Sequence, residues 1–167
     1  MTTKATKATK AKATKAKVIK VKTAKASKDT SNGRAGGALV IVESPTKART
    51  IGKYLGRGYS VKATVGHLRD LPTRKLGVTV DDGGKSFTPE YVTIKGKTQT
   101  LSEIKKAAKG AREVLLATDP DREGEAIAWH VASQLGDDVP LRRILFHEIT
   151  KDAIQEALKS PGEIDQN

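Results

Sequence analysis

Two short stretches of this chain hold most of the side chains that could do chemistry. In the first, the apolar run Ala38-Leu39-Val40-Ile41-Val42 ends in Glu43, and Ser44, Pro45, Thr46 and Lys47 follow. In the second, Glu113-Val114-Leu115-Leu116-Ala117-Thr118 leads into Asp119-Pro120-Asp121-Arg122-Glu123-Gly124-Glu125, four acids within seven residues. Carboxylates so close repel one another unless positive charge stands among them. A hard divalent cation such as Mg2+ takes oxygen ligands, keeps several waters and is held by one or two carboxylates. Asp119 and Asp121, two apart on extended chain, can point to the same side, and Glu123 follows at a helix start. The plainer alternative is a solvated acidic turn at a helix N-terminus, where negative charge is mildly stabilising.

Glu43 is an odd residue to finish a five-residue apolar strand; its plainer alternative is an exposed acid before a helix. Neighbouring carboxylates would favour its protonated form, leaving a proton to donate near neutral pH. The helix N-terminus after Glu43 is a natural seat for a phosphate, and Lys47, one turn in, brings positive charge to the same anion, although a single lysine there is usually only solvated. His67, in Gly66-His67-Leu68-Arg69-Asp70-Leu71-Pro72, is a candidate DNA contact, against the commoner incidental loop histidine. His130 and His147 read as structural and Trp129 as core packing.

Absences narrow the chemistry. Gly84-Lys85-Ser86 matches the end of a phosphate-binding Gly-x-x-x-x-Gly-Lys-Ser/Thr loop, but Thr79 stands at its first glycine, so ATP hydrolysis has no support. Without cysteine there are no disulfides, thiolate metal sites or thiol nucleophiles, and the three histidines lack zinc-ligand spacing.

Strands alternating with helices must position these groups. The apolar run at 38–42 predicts a strand covered on both faces. Ser44 caps a helix with Pro45 in its first turn, running to Gly56 with Ala48, Ile51 and Leu55 on one face. Tyr59, Val61, Ala63 and Val65 alternate as a second strand, whereas residues 66–97 give no clear assignment beyond a turn at Asp81-Asp82-Gly83-Gly84. Leu101, Ile104 and Ala108 space out as a helix; 113–118 is another buried strand. A helix runs from about Glu123 to Leu135, a strand from Leu141 to Phe146, and Thr150 caps a final helix. The expected fold is α/β, a mainly parallel central sheet flanked by helices. Ligands of such sheets bind beyond the carboxyl ends of the strands, so Glu43 and the Asp119 run share a crevice if their strands are neighbours.

Residues 1–37 differ in kind. They hold ten lysines and one arginine against one aspartate, +10 of the chain's +12, which leaves +2 for residues 38–167. Lysine at every second or third position down to Lys28 predicts a disordered polycation that neutralises phosphates without sequence preference; the alternative is a solubilising extension. Ser31 to Gly37 reads as a flexible joint. No stretch reaches the roughly 18 apolar residues of a membrane span, and no apolar signal segment follows the N-terminal lysines, so the expectation is a soluble cytoplasmic protein.

Read together, Val40 to Ala48, Gly66 to Pro72 and Asp119 to His130 closely resemble the Toprim domain of bacterial type IA DNA topoisomerases; Phe146-His147-Glu148-Ile149-Thr150-Lys151 resembles the segment closing it. The resemblance implies a tail and linker over 1–37, a Toprim domain over 38–163 and the start of a further segment at 164–167. It implies Mg2+-dependent, ATP-independent relaxation of negatively supercoiled DNA by single-strand cleavage, strand passage and religation. Carried over, Glu43 is the general acid and base, Lys47 supports the scissile phosphate, and Glu43, Asp119, Asp121 and Glu123 form the metal set. His67, Lys47 and Arg122 are the DNA contacts. In that family the nucleophilic tyrosine lies in a later domain, and Tyr54, Tyr59 and Tyr91 match no nucleophile motif. The chain is therefore expected to be a fragment, inactive alone, monomeric and nucleoid-associated. Other Toprim enzymes, a reverse gyrase and a non-catalytic DNA-binding module are the rival readings.

Overall fold

The computed structural model describes residues 36–81 and 83–164; the disorder read into the lysine-rich tail falls outside them. The elements are β1 (Ala38–Val42), α1 (Pro45–Leu55), β2 (Tyr59–Ala63), β3 (Arg69–Asp70), β4 (Val78–Val80), β5 (Phe87–Pro89), β6 (Val92–Thr93), α2 (Thr98–Gly110), β7 (Val114–Leu116), α3 (Arg122–Leu135), a 3-10 turn (Gly136–Asp138), β8 (Leu141–Arg143) and α4 (Lys151–Lys159). Strands β2, β1, β7 and β8, in that order, form a wholly parallel sheet.

β1 is central because every one of its side chains is apolar and buried. Burial of each Val, Leu or Ile stabilises by roughly 1.5–3 kcal/mol, and only a strand covered on both faces collects that at every position. Leu39 and Ile41 face a core with Val114, Leu116, Leu101 and Ile104 of α2 and Ile127 and Val131 of α3. Ala38, Val40 and Val42 face the other core, with Leu115, Ile51 of α1 and Ile154 of α4.

Helix starts follow local chemistry. The hydroxyl of Ser44 accepts from the Lys47 amide at 3.2 Å ahead of Pro45, and Thr150 accepts from the Ala153 amide at 3.3 Å. Each satisfies an otherwise unpaired N–H of a first helical turn.

Three expectations need correction. The second strand stops at Ala63: Val65 is half-exposed with φ 59°, where a β-branched residue cannot continue a strand. The last strand pairs only as far as Arg143, not to Phe146. The final glycines of the supposed flexible joint are packed, since a Cβ on Gly36 would lie 1.8 Å from the Gly110 carbonyl oxygen and one on Gly37 2.1 Å from that of Gly58. Within 66–97, β3 pairs with β6 and β4 with β5, both antiparallel. The carboxylate of Asp81 accepts from the amides of Lys85 (2.9 Å) and Ser86 (3.2 Å) at the turn between β4 and β5.

Candidate active site

The two acid-bearing strands are neighbours. Ile41 of β1 lies opposite Leu116 of β7, and the Ala117 amide donates to the Ile41 carbonyl at 2.8 Å. Beyond this shared end β1 leads into α1 on one face and β7 into α3 on the other. That divergence opens a crevice at the carboxyl ends of the strands, the place where open α/β sheets bind ligands. A separate open groove of about 730 Å3, between Gly37, Gly58, Lys62 and Lys106, lies at the amino ends of β1 and β2, away from the acids.

Lys47 joins the two strand ends. Its ammonium donates to Glu43 Oε1 and, at 2.5 Å, to Asp119 Oδ1. Burial lowers the lysine pKa, but hydrogen bonds to Asp119 and Glu43 and the charges of both carboxylates outweigh it, so the group is held above its ordinary value and stays cationic. Glu43 is the deeper acid, 17% exposed against 46% for Asp119, and its Oε2 is buried with no hydrogen-bond partner. The positive charge among these acids is thus the lysine ammonium.

The other acids have separate partners. Asp121 caps α3, its Oδ1 accepting from the Gly124 amide at 2.7 Å. Glu123 Oε1 stands 3.4 Å from His67 Nε2, a contact between two exposed groups and so a weak one. Arg122 is exposed beside them. His67 reaches this rim because its loop is tied to the first strand end: the Gly66 amide donates to the Glu43 carbonyl at 3.0 Å, and the Lys97 ammonium donates to the carbonyl of Val65. Glu43, Lys47 and Asp119 therefore meet, His67 and Glu123 meet at the rim, and Asp121 is turned into a cap. Among the described residues no three Asp, Glu or His side chains stand close enough to hold a metal ion. The donor chemistry still fits a hard cation, being carboxylate oxygens with a buried, unpaired Oε2 on Glu43.

A polar and aromatic cluster lies next along the chain from His67. Arg69 donates to the Tyr91 carbonyl (2.7 Å) and the Ser133 hydroxyl (3.3 Å), with its guanidinium 5.6 Å from the Tyr91 ring centroid. Tyr91 packs edge-on against Trp129 and His130, so Trp129 belongs to this half-buried aromatic cluster and not to the inner core. His130, read as structural, is buried, and burial first, then Arg69 and His67, push its pKa down to about 4 against the opposing charge of Asp70. His147, read as structural, is exposed.

Sequence reasoning missed three contributors. Gly124 lies so close to Asp119 that a Cβ would come within 2.0 Å of the Asp119 carbonyl oxygen. Thr118 donates from its hydroxyl to the Gly124 carbonyl at 2.6 Å. Arg143 is buried and bonded to the same loop; the available signal was an arginine pair inside the otherwise apolar run from Leu141 to Phe146.

Comparison with known proteins agrees with this architecture. Residues 38–149 match the Toprim domain. The fold matches, with a TM-score of 0.66, a solved structure of full-length topoisomerase I from Thermotoga maritima. That protein is 46% identical over 76% of this chain and 21% of its own, so this chain spans about a fifth of that relative's length. Among the described residues no helix is long and apolar enough to cross a membrane.

Proposed function

The chain belongs to the Toprim domain family, of the bacterial type IA DNA topoisomerase kind, and on that premise we propose that it supplies the acid–base half of DNA strand cleavage and religation. The observation that carries this reading is the meeting of Glu43, from the end of β1, with Asp119, from the end of β7, around Lys47.

In this reading a single DNA strand enters the crevice with its scissile phosphate at the N-terminus of α1. The Lys47 ammonium and the Thr46 amide of that helix turn hold the phosphate oxygens. A tyrosine from another part of the topoisomerase attacks phosphorus, and the bond to the 3′ oxygen breaks. Glu43 gives its proton to that oxygen as it leaves, and takes a proton back from the 3′ hydroxyl when the strand is resealed. Neither Tyr54 nor Tyr59 is placed for the attack: Tyr54 sits in the last turn of α1 and Tyr59 opens β2 opposite Ala38, both at the far ends of their elements. Tyr91 is packed on Trp129 and His130. His67 and Arg122 contact the strand from the rim.

Glu43, Asp119, Asp121 and Glu123 are the groups that would hold Mg2+. When bound, the ion would supply positive charge against the negative charge developing on the phosphate oxygens. The work of relaxation comes from the supercoiled DNA, so no ATP is consumed. The lysine-rich segment adds non-specific phosphate contacts. The assembled protein works as a cytoplasmic, nucleoid-associated monomer, with residues 38–163 as its Toprim domain.

The test is Glu43→Gln in the complete topoisomerase, with oligonucleotide cleavage and plasmid relaxation as readouts. Losing general acid catalysis should slow cleavage by roughly 10²–10⁴-fold. Cleavage at the normal rate would remove Glu43 from the mechanism.

A further inference from the structure

The fourth acid of the Asp119–Glu125 run has a different partner from the rest. Glu125 Oε1 accepts from Arg143 Nε at 2.8 Å and lies 2.7 Å from its Nη2. Arg143, the last residue of β8, is only 2% exposed, among the most deeply buried large side chains of the chain. Its own backbone is bonded in both directions to Gly162, at 2.9 and 2.7 Å, so the side chain starts from a fixed point.

The rest of the guanidinium is spent on main-chain carbonyls. Nη1 donates to the carbonyls of Leu116 (2.9 Å) and Ile144 (3.1 Å), and Nη2 donates to the carbonyl of Asp119 (2.9 Å). Leu116 closes β7 and Asp119 carries the acid that meets Lys47. One planar fork therefore spans the segment from strand end to acid. The opposite side of the loop is closed by Gly124, whose missing Cβ leaves room for the Asp119 backbone, and by the Thr118 hydroxyl on the Gly124 carbonyl.

Resting on the function proposed above, we infer that Arg143 and Glu125 are a positioning pair for Asp119, acting through its backbone without touching DNA or metal. Holding two β strands together would not require this arrangement. An apolar residue at 143 would do that more cheaply, since burying a guanidinium carries a desolvation cost of several kcal/mol that only close pairing offsets. What the arginine alone provides is five donors in a rigid plane, enough to bind a carboxylate and three carbonyls at once. Lysine has the charge but not the fork. Glu125 holds the fork in orientation.

The experiment uses the isotope-labelled 167-residue chain and the variants Arg143→Lys and Glu125→Gln. Amide hydrogen exchange is read residue by residue, and Mn2+ affinity is measured by electron paramagnetic resonance. Both variants should speed exchange at residues 117–124 about tenfold or more while amides of β1 and α1 keep wild-type rates. Mn2+ affinity should fall roughly 10–100-fold, the usual cost of losing a group that orients a metal ligand. Unchanged exchange at 117–124, or equal acceleration through every element, would overturn the positioning role. Should Arg143→Lys fail to fold, Glu125→Gln, which keeps the side-chain shape, decides alone. A wild-type chain that binds no Mn2+ counts against the metal assignment, while the exchange rates still decide on the pair.

Discussion

Gly124→Ala tests the seating of the acid loop, because two effects act on it with opposite sign. Gly124 is the third residue of α3, where alanine is the better helix former by about 1 kcal/mol. Propensity alone therefore predicts a more stable protein. Sterically, the added Cβ would lie 2.0 Å from the Asp119 carbonyl oxygen and 2.8 Å from both its carbonyl carbon and its amide nitrogen. All three are backbone atoms, so no side chain can swing aside, and loop and helix must part by roughly 1 Å to restore ordinary contact. Overpacking of this kind costs about 1–3 kcal/mol. The movement also strains the bonds from Arg143 to the Asp119 carbonyl and from the Gly124 amide to Asp121, each worth about 0.5–1.5 kcal/mol. The clash outweighs propensity, for a net loss of roughly 2–4 kcal/mol. Urea denaturation followed by circular dichroism reads this directly. With a slope of roughly 1–3 kcal/mol per molar, the midpoint should fall by about 1 M or more. A midpoint equal to or above that of the wild type would show that the loop yields freely, and the close approach of Gly124 would then say nothing about how Asp119 is held.

Two further outcomes follow from the charges. His130 has a folded pKa of about 4, below its unfolded value near 6.5, so the unfolded chain takes the proton first as pH falls. Its contribution is complete above pH 6.5 and is lost between there and 4, at most roughly 3 kcal/mol; His130→Phe should shrink the stability difference between pH 7 and 4.5, and an unaltered difference would refute the assignment. Deleting residues 1–30 removes ten lysines and Asp29, which should flatten the dependence of DNA affinity on salt by up to about 9 in log–log slope; a slope equal to that of the full chain would end the case for phosphate binding by the tail.

Legibility in the sequence followed the range of the forces. β1 and α1 were readable because five consecutive apolar residues, a capping serine and a proline act over one or two turns of chain. The strands between 66 and 97 were not, since segments of two or three residues are too short to show a period and are fixed by pairing partners such as Thr93 for Arg69. The site divided in the same way. Strand ends marked Glu43 and Asp119, but the lysine between them lies 72 residues from Asp119, and nothing local says that it will meet both. Asp121 has a second role that spacing alone does not reveal, its Oδ1 turned back to cap its own helix. Arg143 was passed over as a strand residue, its counter-ion Glu125 lying across the sheet end in another element.

These partnerships bear on how so acidic a segment offsets its own charge. Glu43 and Asp119 share Lys47, Asp121 has the Gly124 amide, Glu123 has His67 and Glu125 has Arg143. Each carboxylate has a partner from the protein itself, the exposed contact of Glu123 with His67 being the weakest, and these partners offset part of their mutual repulsion. The residual demand is local. Among the described residues the buried carboxylate oxygens left without a partner are Glu43 Oε2 and Glu125 Oε2, and Glu43 Oε2 is the one at the crevice where Lys47 and Asp119 meet. A buried anionic oxygen without a donor is costly unless a positive group completes it. Of these two unmet needs, the one at the end of β1 opens on the crevice, and that is the place where an incoming cation or a protonated carboxyl would change the energy most.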